Sequence, residues 1–294
     1  MKKLVIFLIL LLVPKLALAS FISLTTIIIT DVITENFTNI QVEILNSGDE
    51  PAYSVQVSPL LPNNFQAEPN LFNVGTFNPN SPKKINFNLT ITNQIFTGTY
   101  PLVILVDYAD ANGYPFSSVS PSSIIYRTST LSKVTGVMKE LTLSGKKTET
   151  LTLTLRNLDE VQHNVDIKLY LPRELKVDKD KSIVVIGQKE EKNLNFQVSS
   201  FSALPGSNYV VLATLDYDDS NSHYSSTVRS MIKIVAEKSL EFPIWLPILT
   251  FIGLLIIFGY YLIREKHESL SRHSNTERRE EPAESTEGNK EQSR

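Results

Sequence analysis

QVEILNSGDEPAYSVQVSPLLP at residues 41–62 and TLTLRNLDEVQHNVDIKLYLP at residues 152–172 are two versions of one passage. In each, apolar and polar residues alternate, the run breaks after an asparagine (Asn46, Asn157), and a second run ends in Leu-Pro. Alternation with a period of two sends one set of side chains into a core and the other into water, which marks a half-buried strand. Asn46-Ser47-Gly48-Asp49 reads as a turn, because Asn and Gly tolerate positive φ. Pro62 and Pro172 end the second strand, since proline cannot continue a central ladder. Aligning Asn46 with Asn157 brings Val55 beside Val165 and Pro62 beside Pro172, with one residue deleted in the second version.

The correspondence continues downstream. Val74-Gly75 matches Ile186-Gly187, and the stretch from Gly98 through Tyr100 to Asp107-Tyr108 matches that from Gly206 through Tyr209 to Asp216-Tyr217. The interval from Tyr to Asp is the same in both. A period of about 110 residues indicates tandem domains and not a solenoid of short repeats. Residues 20–241 show short alternating runs punctuated by Asn, Gly, Pro, Ser and Asp, with almost no helical period. The expected fold is all-β: two tandem immunoglobulin-like sandwiches, 20–128 and 129–241, with the boundary within 127–133. Tyr100, Leu102, Ile104, Val106 and Tyr108 share one strand face, as do Tyr209, Val211, Ala213, Leu215 and Tyr217. Val103 and Leu105 make the other face of the first strand apolar too, so it is expected at the centre of its sheet and covered at both ends of its length. Stacked end-on, the two sandwiches would form a semi-rigid stalk of about 70–90 Å.

These motifs resemble CARDB domains, the cell-adhesion-related domains of bacteria, and the NPCBM-associated domains of archaeal and bacterial envelope proteins. The residues that carry the likeness are Asn46-Ser47-Gly48, Ala52-Tyr53-Ser54-Val55, Leu61-Pro62 and the run from Asp107 to Gly113. The second copy departs from the pattern at Leu158 and at Ser222, which stands where Gly113 would. The resemblance covers most of residues 28–236 and implies seven-stranded sandwiches on an envelope protein, serving as spacers or binding modules and not as enzymes.

Both ends of the chain read as membrane signals. Residues 242–263, FPIWLPILTFIGLLIIFGYYLI, carry no charge. A helix of that length spans roughly 33 Å, enough for a hydrocarbon core of about 30 Å. Trp245 lies near one end, Tyr260 and Tyr261 near the other, and Arg264-Glu265-Lys266 follows, which points the far side to the cytoplasm. Residues 1–19 read as a secretory signal: basic Lys2-Lys3, an apolar core, and Ala17-Leu18-Ala19 before a cut at Ser20. The rival, an uncleaved anchor running on towards Ile29, would have to bury Lys15. Residues 264–294 hold eight glutamates among Lys, Arg and Ser and no aromatics, and read as a disordered cytoplasmic tail. The expectation is a single-pass type I protein of the cell membrane with its sandwiches outside.

Composition narrows the function. The net charge of −3 gives no basic footprint for nucleic acid, and the absence of cysteine removes disulfides and thiol chemistry. The sharpest polar clusters are Asp107, Asp110 and Asn112, and their counterparts Asp216, Asp218, Asp219 and Asn221. The second begins like a calcium loop, but Asn221 stands where glycine is needed and Thr227 where a bidentate glutamate is needed. A hydrophilic hairpin turn is the simpler reading, and no metal or cofactor is assigned. His163 and His223 lack HxxxH or HExxH neighbours and read as surface loop residues; no Gly-x-Ser-x-Gly or phosphate loop occurs, so no catalytic residue is assigned. Asn36-Phe37-Thr38 and Asn88-Leu89-Thr90 are glycosylation sequons. Residues 20–128 hold eight acidic and three basic residues against fifteen of each in 129–241, so the weakly charged first copy is the expected contact surface. The expected function is non-catalytic: adhesion, envelope scaffolding or protein binding, with the bilayer and another envelope or membrane protein as partners. The alternative is an accessory subunit of a membrane complex such as a transporter, in which Gly253 and Gly259 allow close helix approach. Carbohydrate binding would need exposed aromatic platforms, for which Tyr53, Tyr114 and Tyr224 are the candidates.

Overall fold

The computed structural model describes residues 21–145 and 147–237, together with 245, 248–249, 251–260 and 263–264. Strands β1 (Leu24–Thr30), β2 (Phe37–Asn46), β3 (Ala52–Leu60), β4 (Phe65–Glu68), β5 (Phe72–Phe77), β6 (Lys83–Ile91), β7 (Thr97–Ala109) and β8 (Pro115–Tyr126) build a first sandwich. One of its sheets has the order β1-β2-β6-β4, and in the other β5, β3, β7 and β8 lie side by side. Strands β9 (Val134–Met138), β10 (Leu141–Ser144), β11 (Thr148–Asn157), β12 (His163–Tyr170), β13 (Leu175–Val177), β14 (Lys181–Ile186), β15 (Glu191–Ser200), β16 (Asn208–Asp219) and β17 (Ser222–Val235) repeat the plan, as β9-β11-β15-β13 facing β14-β12-β16-β17. Even the added strand has its counterpart: β10 runs parallel to β17, and Ile33 makes a single parallel bridge to Tyr126.

Strand alternation builds each core. Ile40, Val42 and Ile44 of β2, Ile85, Phe87 and Leu89 of β6, and Leu102, Ile104 and Val106 of β7 meet in the first. Leu151, Leu153 and Leu155, Val165, Ile167 and Leu169, and Val211, Ala213 and Leu215 meet in the second. The residue by which the first copy exceeds the second is a β-bulge. Between the pairs Tyr53–Ala109 and Gln56–Asp107 the β3 strand holds one residue more than β7, and Ser54 takes φ 51°. The equivalent β12–β16 ladder runs without a shift from Asp166–Asp216 to Tyr170–Leu212.

The turn asparagines act differently from expectation. Neither Asn46 nor Asn157 has a positive φ; both are wholly buried. Asn46 Nδ2 donates to the carbonyls of Glu50 (2.8 Å) and Phe77 (3.2 Å), and its Oδ1 accepts the Gly48 N–H (3.0 Å). Asn157 repeats this with the carbonyls of Val161 and Gly187 and the Asp159 N–H. Each amide therefore ties the turn to the strand beside it. Gly48 is required by crowding, since a Cβ there would lie 2.2 Å from the Phe21 carbonyl oxygen.

The sandwiches are not stacked end-on. Both belong to one compact unit that runs to Glu237. Val103 and Leu105 of β7 and Val119 of β8 pack against Tyr170 of β12 and Leu212 of β16, so the outer face of one sheet lies on the outer face of the other. The apolar second face of β7 is thus covered by the neighbouring sandwich, and the stalk expectation gives way to lateral docking. At one corner β7 and β17 pair directly, Thr97 with Ser222 and Gly98 with His223, which joins the sheets.

Residues 251–260 are helical, and Phe251, Leu254, Leu255, Ile256, Ile257 and Phe258 on them are all exposed. Among the described residues no helix is long and apolar enough to cross a membrane. The expected span 242–263 falls in part outside the described residues, and the expected signal 1–19 and all but Arg264 of the tail fall outside them as well.

Candidate functional site

The polar residues singled out from the sequence separate into two groups along the junction of the sandwiches. At the β7–β8 end, Asp107 Oδ2 meets Arg173 at 2.7 Å, and burial raises the pKa of Asp107 although Arg173 opposes this. Asp110 turns away and closes its own hairpin, accepting the N–H groups of Asn112 (2.9 Å) and Tyr114 (2.8 Å). The two carboxylates therefore do not converge. Beside them Glu174, 2 % exposed, reaches across from the second sandwich. Its Oε1 accepts the Ser117 N–H and its Oε2 the Ser117 hydroxyl, both at 2.7 Å, and Ser117 Oγ accepts the Arg173 N–H at 2.7 Å. Tyr114 donates its hydroxyl to the Ser202 carbonyl.

At the β16–β17 end, Asp216 and Asp218 converge on His223. His223 Nδ1 lies 2.7 Å from Asp218 Oδ1, and Nε2 lies 3.8 Å from Asp216 Oδ1. The ring stacks on Tyr100 of the other sandwich, with centroids 3.9 Å apart and planes at 5°. Burial pulls the His223 pKa down, but the two carboxylates outweigh it, and the net movement is upward. Burial also raises Asp166, which sits opposite Asp216 in the ladder, and the charges of Asp216 and Asp218 add to this. Asp219 points elsewhere and accepts the Ser220 hydroxyl. Ser220 and Asn221, with φ of 48° and 66°, form a two-residue hairpin loop, the geometry that favours asparagine at a position of positive φ. Among the described residues no group of three or more His, Asp or Glu is placed to hold a metal ion.

His163 and His223 are corrections to the surface reading. His163 is buried against the Tyr217 ring and lies 3.3 Å from Asp159; His223 is held at the seam. Each lies at the start of a strand against a tyrosine ring, stacked for His223 and tilted for His163, an arrangement made by residues distant in sequence. Of the aromatic candidates, Tyr224 stacks on Tyr217 and Tyr114 is bound at the junction, so neither is a free platform; Tyr53 lies half-buried on β3. Asn36 and Asn88 are exposed.

At the β16–β17 end a cleft of about 640 Å³ opens beside Asp216, Asp218 and His223, with Asn63, Asn64 and Phe96 on one wall and Asp166, Lys168 and Lys181 on the other. Its walls offer amides, carboxylates and ammonium groups beside aromatic surface, which suits a polar ligand or a peptide. Burial, with Lys181 nearby, lowers the pKa of Lys168. Glu174 was invisible to sequence reasoning because no repeat position marks it; Val103 and Leu105 were its only indirect signal.

No protein-family model matches this chain, and no curated protein matches it. Among solved structures it is similar to a protein of unknown function from Porphyromonas gingivalis W83, at 12% identity over 71% of this chain and 99% of that one, with a TM-score of 0.30. It is similar to the alpha-2-macroglobulin of E. coli at 12% identity, over 72% of this chain and 17% of that one, with a TM-score of 0.27. It is also similar to the periplasmic chaperone SfaE at 14% identity, over 72% of this chain and all of that one, with a TM-score of 0.26. Likenesses this distant carry nothing about function.

Proposed function

We propose that this chain is a non-catalytic, single-pass protein of the cell envelope that presents two docked immunoglobulin-like sandwiches outside the membrane for adhesion, scaffolding or protein binding. Its divisions are a signal at 1–19, sandwiches at 20–128 and 129–241, a membrane helix at 242–263 and a cytoplasmic tail. The observation that carries the reading is the helical run 251–260, whose apolar side chains are exposed on every side and need lipid or a partner helix to cover them. The strand orders, β1-β2-β6-β4 facing β8-β7-β3-β5, support an immunoglobulin-like plan, since they resemble its ABED and CFG sheets. That plan and the motifs at Asn46 and Asp107 support kinship with the CARDB and NPCBM-associated domains.

The test is purification of the intact protein from its native membrane in mild detergent, beside a variant in which 242–263 is replaced by an unrelated apolar helix. An anchor keeps its envelope partners after replacement. A stoichiometric membrane partner lost on replacement would favour the accessory-subunit alternative. Recovery of the wild type in the soluble fraction would remove both.

A further inference from the structure

The outer face of the β1-β2-β6-β4 sheet is built in rows by the strand register. Phe37 pairs with Thr90; Asn39 pairs with Asn88; Ile29, Gln41 and Asn86 form the next row; Ile27, Glu43 and Lys84 the next. Phe37, Ile27 and Ile29 are each more than half exposed on this face. Asn88 lies on this face, and Asn36 sits at the rim of the sheet, opposite the core residue Ile91. The Asn36 carbonyl accepts the Ile91 N–H at 2.8 Å, so the acceptor asparagines are three ladder positions apart, about 10 Å. Asn88 and Thr90 point to the same side while Leu89 between them is in the core, which sets the sequon hydroxyl beside the acceptor amide. Among the described residues neither acceptor amide makes a side-chain hydrogen bond. On the equivalent face of the second sandwich, Asn193 and Asn195 are held by the hydroxyls of Thr154 (2.7 Å) and Thr152 (2.9 Å) and belong to no sequon.

We propose that Asn36 and Asn88 are both N-glycosylated and that the Asn88 glycan covers the exposed side chains of Phe37, Ile27 and Ile29. The inference rests on the extracytoplasmic placement proposed above, where an oligosaccharyltransferase acts. In the transfer, each Asn Nδ2 forms a bond to C1 of the first sugar of a lipid-linked oligosaccharide. The bond from C1 to the lipid phosphate oxygen breaks, the lipid phosphate leaves, and the amide gives up one proton, with no change of oxidation state. Asn88 stands in the row between Phe37 and Ile29, so a glycan there reaches apolar side chains on either side. Sugar C–H faces pack well on an aromatic ring, and Phe37 lies opposite Thr90, two residues from Asn88 and on the same face. The apolar rows of this face, between the Glu43–Lys84 pair and Glu68, are thereby made hydrophilic by sugar.

The experiment measures the intact mass of the full chain from its native membrane, as wild type, Asn36→Gln, Asn88→Gln and the double variant. Thr38→Ala with Thr90→Ala is a second route to the same loss. Two glycan increments are expected on the wild type, one on each single variant and none on either double variant. Hydroxyl-radical oxidation of Phe37 is expected to rise at least threefold in the double variants, while Phe201 on the other sandwich stays unchanged. A wild type of polypeptide mass alone, or increments kept in the double variants, overturns glycosylation; equal Phe37 oxidation overturns the covering. A cysteine placed at the exposed Leu131 and probed with a membrane-impermeant maleimide on intact cells separates the causes. Label without glycan sinks this proposal alone, whereas no label before lysis sinks the topology and this proposal with it.

Discussion

Gly98 and Gly206 lie near the matching strand entries of the two copies, both with positive φ, but only Gly98 faces the seam. A Cβ at Gly98 would sit 2.0 Å from the His223 carbonyl oxygen, and real contacts do not fall under 3.0 Å, so the strands must part by about 1 Å. At Gly206 nothing lies within 4 Å of that position. Gly206→Ala therefore meets backbone strain alone, about 1–2 kcal/mol. Gly98→Ala meets the same strain and also disrupts the β7–β17 pairing and the Tyr100–His223 stack. Two backbone hydrogen bonds at about 1 kcal/mol each and a stack near 1 kcal/mol bring its cost to about 4 kcal/mol. Guanidinium unfolding of the detergent-solubilised chain, followed by far-ultraviolet circular dichroism, reads the difference. The expected gap between the two variants is about 2–3 kcal/mol. Equal costs within about 0.5 kcal/mol would refute the argument, because the seam would then carry no load of its own.

Three further outcomes follow from the same geometry. The raised pKa of His223 means its stabilisation is complete below the unfolded value of about 6.5 and is lost as pH rises through the folded value. Raised Asp166 adds a loss in the same direction, beginning near its unfolded value of about 4, so the melting temperature should fall as pH rises past about 6.5 and His223→Gln should flatten that fall; a flat wild-type profile contradicts this. Ser117→Ala leaves the buried Glu174 carboxylate and the Arg173 N–H each short of a partner and should cost about 2–4 kcal/mol in the same unfolding assay. Asn46→Ala and Asn157→Ala each remove three hydrogen bonds at buried sites and should cost about 3 kcal/mol apiece, equally in both copies; a cost confined to one would break the equivalence of the turns.

The repeat was legible because alternation and punctuation are local properties, whereas pairings such as β2 with β6 join residues distant in sequence and were not read. The deleted residue was visible too, but only the ladder shows that it is the bulge at Ser54. The roles of Asn46 and Asn157 were misread because a turn asparagine has two uses, positive φ and side-chain bridging, and sequence spacing does not separate them. The double-sided apolar character of β7 was read correctly from Val103 and Leu105, yet what covers it depends on Leu212 and Tyr170, more than 60 positions away. His223 and Glu174 were lost for the same reason: each gains its meaning from a residue of the other sandwich, Tyr100 or Ser117, and no periodic pattern links such pairs. The acidic runs were weighed as calcium loops against the simpler hairpin turns; spacing does not show that Asp107 and Asp110 turn to different partners while Asp216 and Asp218 meet at His223.

The chain has no cysteine, so single introduced thiols report its placement without background. The decisive measurement is labelling of Leu131→Cys and Ser274→Cys by a membrane-impermeant maleimide, on intact cells and after lysis. An envelope protein anchored by 242–263 labels at residue 131 on intact cells and at residue 274 only after lysis. Label at 274 on intact cells, or none at 131 until the cells are broken, would contradict the account.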